Sequence, residues 1–395
     1  MNFLFWASTI IVAYAFVGYA ILMWLFAWLR PKHVIRGPIR PSVSILMAVH
    51  NGGEALLAKL KNLSTLNYPK EKLELIVVSD GSTDNTEEIL SSAGGVKAIH
   101  CPRLGKSEAL NHALAIASSE IVVFTDVRQR IEPDAIAELV SNFADEGVGC
   151  VSGELMFCAA TTNKVAGISA YWKLEKLIRK CESASGSVIG ATGALYAVRR
   201  SLIPRLPTGT LLDDVYVPLW VIRQGKRVIF EPKARAWDEL SNGTASEFRR
   251  KVRTLAGNVQ MLELAPWAIW NKAVRFRYVS HKLIRLVAPW LLIAMFFSAW
   301  ALVGFKFYLV LAILQSLFYG IAAISALLPV LKRCSLATAA QAFCWMNAAA
   351  AIALFIYLRY RSDPTRIWVS LKGNSAITNL RGISRAVSRS IGDDS

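Results

Sequence analysis

The sequence predicts an α/β domain with a mostly parallel sheet, joined to helices that cross a membrane. Short apolar runs alternate with helical stretches between residues 43 and 126, three of them ending in Asn51, Asp80 and Asp126. Four stretches without a charged residue, 3–29, 287–305, 307–331 and 337–358, flank that region. Strand–helix alternation at this spacing implies right-handed βαβ units. Apolar stretches of 19 residues or more match the hydrocarbon thickness of a bilayer.

Composition agrees with the membrane. Hydrophobic residues make up 54% of the 395-residue chain and charged ones 18%, and mean hydropathy is +0.38. Both are too apolar for an ordinary soluble domain. Arg30, Lys32, Arg36 and Arg40 follow the first stretch at once. A cleavable leader carries its charge before a shorter apolar core, so residues 3–29 read as an uncleaved anchor. Charge after the span places the following domain inside. The net charge of +17 is concentrated beside the spans, where anionic lipid accounts for it, so nucleic acid is not expected as a partner. The six cysteines have neither a C-x-x-C pair nor zinc spacing and read as reduced structural thiols. Three C-terminal spans after one N-terminal span would place the tail (359–395) outside, whereas its arginines favour the inside.

After the 37–41 linker, residues 43–49 read as the first buried strand, ending at His50-Asn51-Gly52-Gly53. A helix from Ala55 stops before Pro69, and a second strand (75–79) ends in Asp80-Gly81-Ser82. Asp84 with Glu87, or Asn85 with Glu88, starts the next helix. A third strand (96–100) leads through Gly105-Lys106-Ser107 into a helix over 108–117, and the fourth begins at Ile121 and ends in Thr125-Asp126. A fully buried parallel strand reads as such an unbroken apolar run. Beyond residue 145, strands at 148–157 (interrupted by Gly149 and Gly153), 194–198 and 227–231 surround helices at 169–179 and 217–223.

Polar residues at the carboxyl ends of parallel strands line the rim where open α/β sheets bind ligands. Each could also be a local turn residue. Asp80 and the backbone after Val49 could hold a base and ribose. Lys106, Arg250 and Arg253 could compensate a diphosphate. On spacing alone, Asp213-Asp214 fits a general base and a helix cap equally well.

In this order the segments resemble the membrane-integrated, inverting family 2 glycosyltransferases, the superfamily of cellulose, chitin and hyaluronan synthases, with a GT-A domain. Val43 to Asn51 is similar to the family's first strand and nucleotide-contacting turn, and Val78 to Asp84 to its uracil- and ribose-binding segment. Gly105 to Asn111 matches Gly-Lys-x-x-Ala-Leu-Asn. Gly190-Ala191-Thr192-Gly193, followed by Arg199-Arg200, resembles the acceptor-side turn; Leu212-Asp213-Asp214 occupies the place of the Glu-Asp pair, whose second member, here Asp214, is the catalytic base. The resemblance implies a nucleotide-sugar donor, UDP-linked by the pattern, a polysaccharide or lipid-linked acceptor, and export machinery as a partner.

Three motifs depart from the family, the first being the first-strand turn, which usually carries an acidic residue after Asn and here has Gly52. The family's Asp-x-Asp, which implies Mg²⁺ or Mn²⁺, is Asp126-Val127-Arg128 here. One carboxylate remains as a metal ligand, and Arg128 either meets the diphosphate or pairs with Asp126. The Gln-x-x-Arg-Trp of processive polymerases is Arg250-Lys251-Val252-Arg253-Thr254, which keeps Arg253 and lacks Gln and Trp. Processive synthesis and a catalytically silent export partner are the alternative readings. The expected organisation is a span (3–29), a GT-A domain (41–265), an amphipathic interface helix (266–286), three spans (287–358) and a basic tail. In the interface helix Arg275, Tyr278, Lys282 and Arg285 share the polar face, and His281 reads as an interface residue.

Overall fold

The computed structural model describes residues 1–157, 166–238, 244–328, 331 and 334–367. Eight strands, β1 (Val43–Val49), β2 (Leu73–Asp80), β3 (Val96–Cys101), β4 (Ile121–Thr125), β5 (Arg130–Ile131), β6 (Val148–Phe157), β7 (Leu195–Arg199) and β8 (Arg227–Asp238), form one sheet. Their spatial order is β3-β2-β1-β4-β7-β6-β8-β5. β1 pairs in parallel with β2 and β4, and β2 with β3, as the βαβ alternation predicts. The sheet is mixed beyond that point: β7 runs antiparallel to both β4 and β6, and β6 is parallel to β8.

The strand sequences explain the two-sided burial. In β1, Leu46 joins the core beneath helices Lys106–Ile116 and Asp213–Arg223, while Val43 and Ile45 join the one beneath Ala135–Ser141. Alternate residues thus serve opposite cores, which is why the strand carries no polar face. Gly149 and Gly153, which interrupt the apolar pattern of β6, lie at its two register shifts against β8. They mark bulges in a strand that is otherwise continuous.

Three elements outrun their sequence readings: the helix read over 217–223 begins at Asp213, and a strand and a second helix are longer than read. β8 continues past Glu231 to Asp238, with Pro232 inside the second register shift, where its missing N–H is tolerated. The helix expected over 169–179 spans Ala166–Ser185.

Four helices are long and apolar enough to cross a membrane: Asn2–Leu29, Arg275–Ala301, Lys306–Leu327 and Ser335–Arg359. The stretch read as a separate interface helix is the beginning of the second of these, with a π-helical turn over Tyr278–Leu283. Two interface assignments are corrected: Tyr278 and His281 are buried, at 1% and 4% exposure. Glu175 and Glu182, two turns apart on one face of Ala166–Ser185, bracket the imidazole. Glu175 Oε1 lies 2.9 Å from Nε2, and Glu182 Oε1 lies 2.9 Å from Nδ1. Tyr19 of the first helix donates to Glu182, and Arg285 donates to Glu175 at 2.9 Å.

The long apolar helices are fastened to the domain elsewhere too. Arg227 donates to the carbonyls of Lys32, His33, Ser183 and Gly186 at 3.0–3.1 Å, fixing the segment that leaves the first helix. Past the last helix, Arg361 pairs with Glu263 at 2.8 Å and Ile367 is fully buried in the main core. The five cysteines among the described residues are free thiols. Cys158, Lys332, Arg333 and the tail beyond residue 367 lie outside the described residues.

Candidate active site

The carboxyl ends of β1, β2 and β4, the turn before β7 and the start of helix Asp213–Arg223 converge on one rim. The turn after β1 is locked to the turn after β2. Asn51 adopts a left-handed conformation (φ 53°), its N–H donates to Ser82 Oγ at 3.1 Å, and its side-chain oxygen accepts from the Thr83 N–H at 2.8 Å. Val49 is buried, so only its backbone can face a ligand. Asp80 is buried as well, and its carboxylate is already in use. It accepts from the N–H groups of Leu104 (2.7 Å) and Gly105 (2.9 Å), and from Arg103 at 3.0 Å. Asp80 therefore shapes the 103–105 loop, whose last residue, Gly105 at φ 92°, introduces the helix that starts with Lys106.

Lys106 is the hub of the site. Its Nζ lies 3.0 Å from Asp126 Oδ1 and 3.0 Å from Asp213 Oδ1. Burial opposes its charge, yet Asp126, Asp213 and Asp214 together hold its pKa above the ordinary lysine value. For Asp126, burial favours the neutral acid, but Lys106, Arg253 and Lys59 outweigh it and keep the carboxylate ionised below the usual range.

The two neighbouring carboxylates divide their tasks. Asp213 is 4% exposed and fully engaged, with Lys106 on one oxygen and the Tyr196 hydroxyl donating to the other at 3.0 Å. Asp214 is half-buried, and its Oδ2 accepts from the Gly193 N–H at 2.9 Å. Burial first, then the charge of Asp213, raises the Asp214 pKa to about 6, while Lys106 opposes the rise. A carboxylate so poised can accept a proton near neutral pH. The helix begins at Asp213 after Leu212 and has no side-chain cap hydrogen bond, so neither carboxylate serves as its cap. Thr192 donates its N–H to Ser152 Oγ at 3.0 Å, which holds the turn in place.

Arg128 does not pair with Asp126. Its Nη2 donates to Asp238 Oδ2 at 2.6 Å, and Gln129 donates to the same oxygen at 3.0 Å. Arg250 approaches it at 3.6 Å. The pairing with Asp126 is thus corrected: β5 and β8 are neighbours, which carries Asp238 to the 126–129 turn. Arg253 feels the charges of Asp126, Asp214, Arg250 and Arg128, so it belongs to the same cluster.

Three contributors, Lys59, Gln260 and Asp238, escaped the sequence reading, and Asn111 was seen there only as a motif residue. Lys59 is 2% exposed beneath the rim, donating to Thr125 Oγ1 at 2.9 Å and to the Gln129 carbonyl at 2.6 Å. Its spacing from Leu56 and Leu63 on the buried helix face was the available signal. Asn111 exchanges two 2.9 Å hydrogen bonds with the Leu206 backbone, and Gln260 bonds the backbone of Gly209 and Leu211 at 2.9 Å. Together they anchor the loop that delivers Asp213 and Asp214. Asp238 was invisible because its strand was read as ending at Glu231 and in fact runs to Asp238.

Residues 44–203 match the sequence model of Glycosyl transferase family 2. The chain is 27% identical over 235 residues to the probable glycosyltransferase YdaM of Bacillus subtilis, covering 55% of each protein. It is 26% identical over 230 residues to the poly-beta-1,6-N-acetyl-D-glucosamine synthase of Staphylococcus aureus, covering 56% of this chain and 55% of that one. The chain thus spans about half the length of the curated relatives it matches. The solved mannosyltransferase PcManGT of Pyrobaculum calidifontis, in complex with GDP-Man and Mn²⁺, aligns with a TM-score of 0.67 at 24% identity, over 88% of this chain and 98% of that one. That likeness is one of fold. The sheet and its flanking helices are a GT-A glycosyltransferase fold, and residues 44–203 are a glycosyl transferase family 2 domain.

Proposed function

We propose that the protein is a membrane-bound inverting glycosyltransferase that moves a sugar from a nucleotide-sugar donor to a polysaccharide or lipid-linked acceptor. The observation that carries this reading is Asp214, half-buried at the rim, held by the Gly193 N–H and poised near pH 6. In the transfer step the Asp214 carboxylate takes the proton of an acceptor hydroxyl. The hydroxyl oxygen then bonds to the anomeric carbon as the bond from that carbon to the diphosphate oxygen breaks. The electron pair leaves on the diphosphate, whose growing charge falls among Lys106, Arg128, Arg250 and Arg253. Asp80, Asn51 and the backbone after Val49 shape the nucleotide end. Thr192 and Gly193 face the acceptor side.

The four long apolar helices support a multi-pass membrane protein, and the cations at Arg30, Lys32, Arg36 and Arg40 favour a cytoplasmic catalytic domain. A UDP-linked donor and cell-surface polysaccharide as product follow the segment resemblance. Processive synthesis of an N-acetylglucosamine polymer is a second reading, supported by the similarity to the staphylococcal synthase. Product length from a single donor separates the two.

The decisive test is Asp214→Asn in the full chain. Transfer should be lost while nucleotide binding persists, because the amide keeps the shape and hydrogen bond of the carboxylate but cannot take the proton. Retained turnover would refute the assignment.

A further inference from the structure

The Asp-x-Asp signature and the Mn²⁺ of the archaeal mannosyltransferase complex raise a divalent ion as the partner of the donor diphosphate. The residues of this rim do not fit one. A divalent ion of this kind takes several oxygen ligands, and nearby cations oppose it. Asp126 Oδ1 is on Lys106, and three cations, Lys106, Arg253 and Lys59, already act on that carboxylate. The position two residues on supplies a guanidinium. Asp238, the carboxylate that β8 brings to the same turn, is fully covered and bound by Arg128, Gln129 and Arg250. Asp213 is committed to Lys106 and Tyr196.

We infer that this chain binds and activates its donor without a divalent metal, and that the Arg128 guanidinium takes the ion's place on the diphosphate. This rests on the nucleotide-sugar reading above. Arg128 suits the task because one Nη is anchored on Asp238 while half of the side chain stays exposed. A guanidinium carries five N–H donors in a fixed fork that matches phosphate oxygens, so anchoring one leaves others to bind. Asp238 then acts as a positioning residue: it aims the guanidinium and partly neutralises it before the donor arrives. Lys59 steadies the turn from behind, tying β4 to the Gln129 carbonyl so that the 126–129 turn keeps one geometry. Fixed cations preorganised in this way need no reorganisation as charge develops on the leaving group.

The test is calorimetric titration of UDP and of GDP into the full chain in nanodiscs, once with EDTA and once with Mn²⁺. The expected result is the same affinity in both conditions for whichever nucleotide binds. Arg128→Gln should weaken it about tenfold or more in both, as expected for loss of charge-assisted bonds. Arg128→Lys, which keeps the charge but not the fork, should fall between the two. A wild-type affinity that collapses in EDTA and returns with Mn²⁺ would overturn the inference while leaving the nucleotide-sugar reading intact. Unchanged binding by Arg128→Gln would overturn the role of Arg128. If neither nucleotide binds in either condition, the functional reading falls and this inference with it.

Discussion

The backbone N–H of Gly193 donates to Asp214 Oδ2 at 2.9 Å, and a Cβ on residue 193 would sit 3.1 Å from that same oxygen. The proposed base is therefore held by a turn where a methyl group would press on the carboxylate and displace it by a few tenths of an ångström. Gly193→Ala should lower kcat about tenfold, the scale of a lost hydrogen bond to a charged group, and leave nucleotide affinity nearly unchanged. Steady-state kinetics that vary acceptor and donor separately check this. Equal loss in both would mean that the turn serves the donor instead.

The pH profile follows from the same carboxyl group. Asp214 must be ionised to take a proton, and its pKa is raised to about 6. Turnover should fall as pH drops through about 6, with full activity above it. A wild-type acid limb near the ordinary carboxylate value of about 4 would contradict the assignment.

Lys59 predicts a second pH effect, this time on stability. Burial lowers its pKa from 10.5 to about 7, and Asp126 only partly opposes the shift. Between these values the unfolded chain holds a proton that the folded chain has released. Stability therefore rises with pH across that window, by at most about 1.4 kcal/mol per pH unit. Below about pH 7 both states carry the proton, and the contribution is flat at its least favourable value. Lys59→Met should flatten the rise, as read by thermal unfolding at stepped pH. An unaltered slope would show that another group is responsible.

How much of this was legible in sequence depends on where each residue's partners lie. β1, β2 and β4 and their rim residues were readable because each strand is largely buried on both faces and runs into a polar residue. The pair Asp213-Asp214 was visible, but its division of labour was not: that depends on Tyr196 and Gly193, on and before an antiparallel strand. Arg128 was conspicuous as a departure from Asp-x-Asp, while its partner lay 110 residues away beyond a proline. His281 looked like a headgroup-region residue because its own helix is basic. Only tertiary packing brings up the two glutamates that bury it.

Those glutamates make the His281 site costly to break. Burial pushes Glu175 up, but His281 and Arg285 outweigh it and hold it well below the carboxylate range. Replacing His281 by Leu leaves Glu182 with Tyr19 alone as a close partner and removes one of two partners of Glu175. Removing one member of a buried charged pair costs about 3–5 kcal/mol, so the variant should unfold at markedly lower temperature in nanodiscs. Its nucleotide affinity, measured where it remains folded, should be that of the wild type. A variant as stable as the wild type would show that the cluster is open to water.

The last prediction separates Asp213 from Asp214. The charge of Asp213 is, after burial, the second cause of the raised Asp214 pKa, and Lys106 bridges Asp213 to Asp126. In Asp213→Asn the repulsive charge is gone while Lys106 and its pull on Asp214 remain. The acid limb of the pH profile should therefore move below about 6, with activity reduced but not abolished. Tyr196→Phe makes the contrast. It keeps the stack on Phe124 at 4.7 Å and removes only the hydroxyl that donates to Asp213. A buried acceptor left short of a donor costs about 1–3 kcal/mol, so this variant should lose stability and keep a limb near pH 6. If Asp213→Asn abolishes transfer with wild-type binding, and Asp214→Asn does not, Asp213 is the base and the roles are reversed.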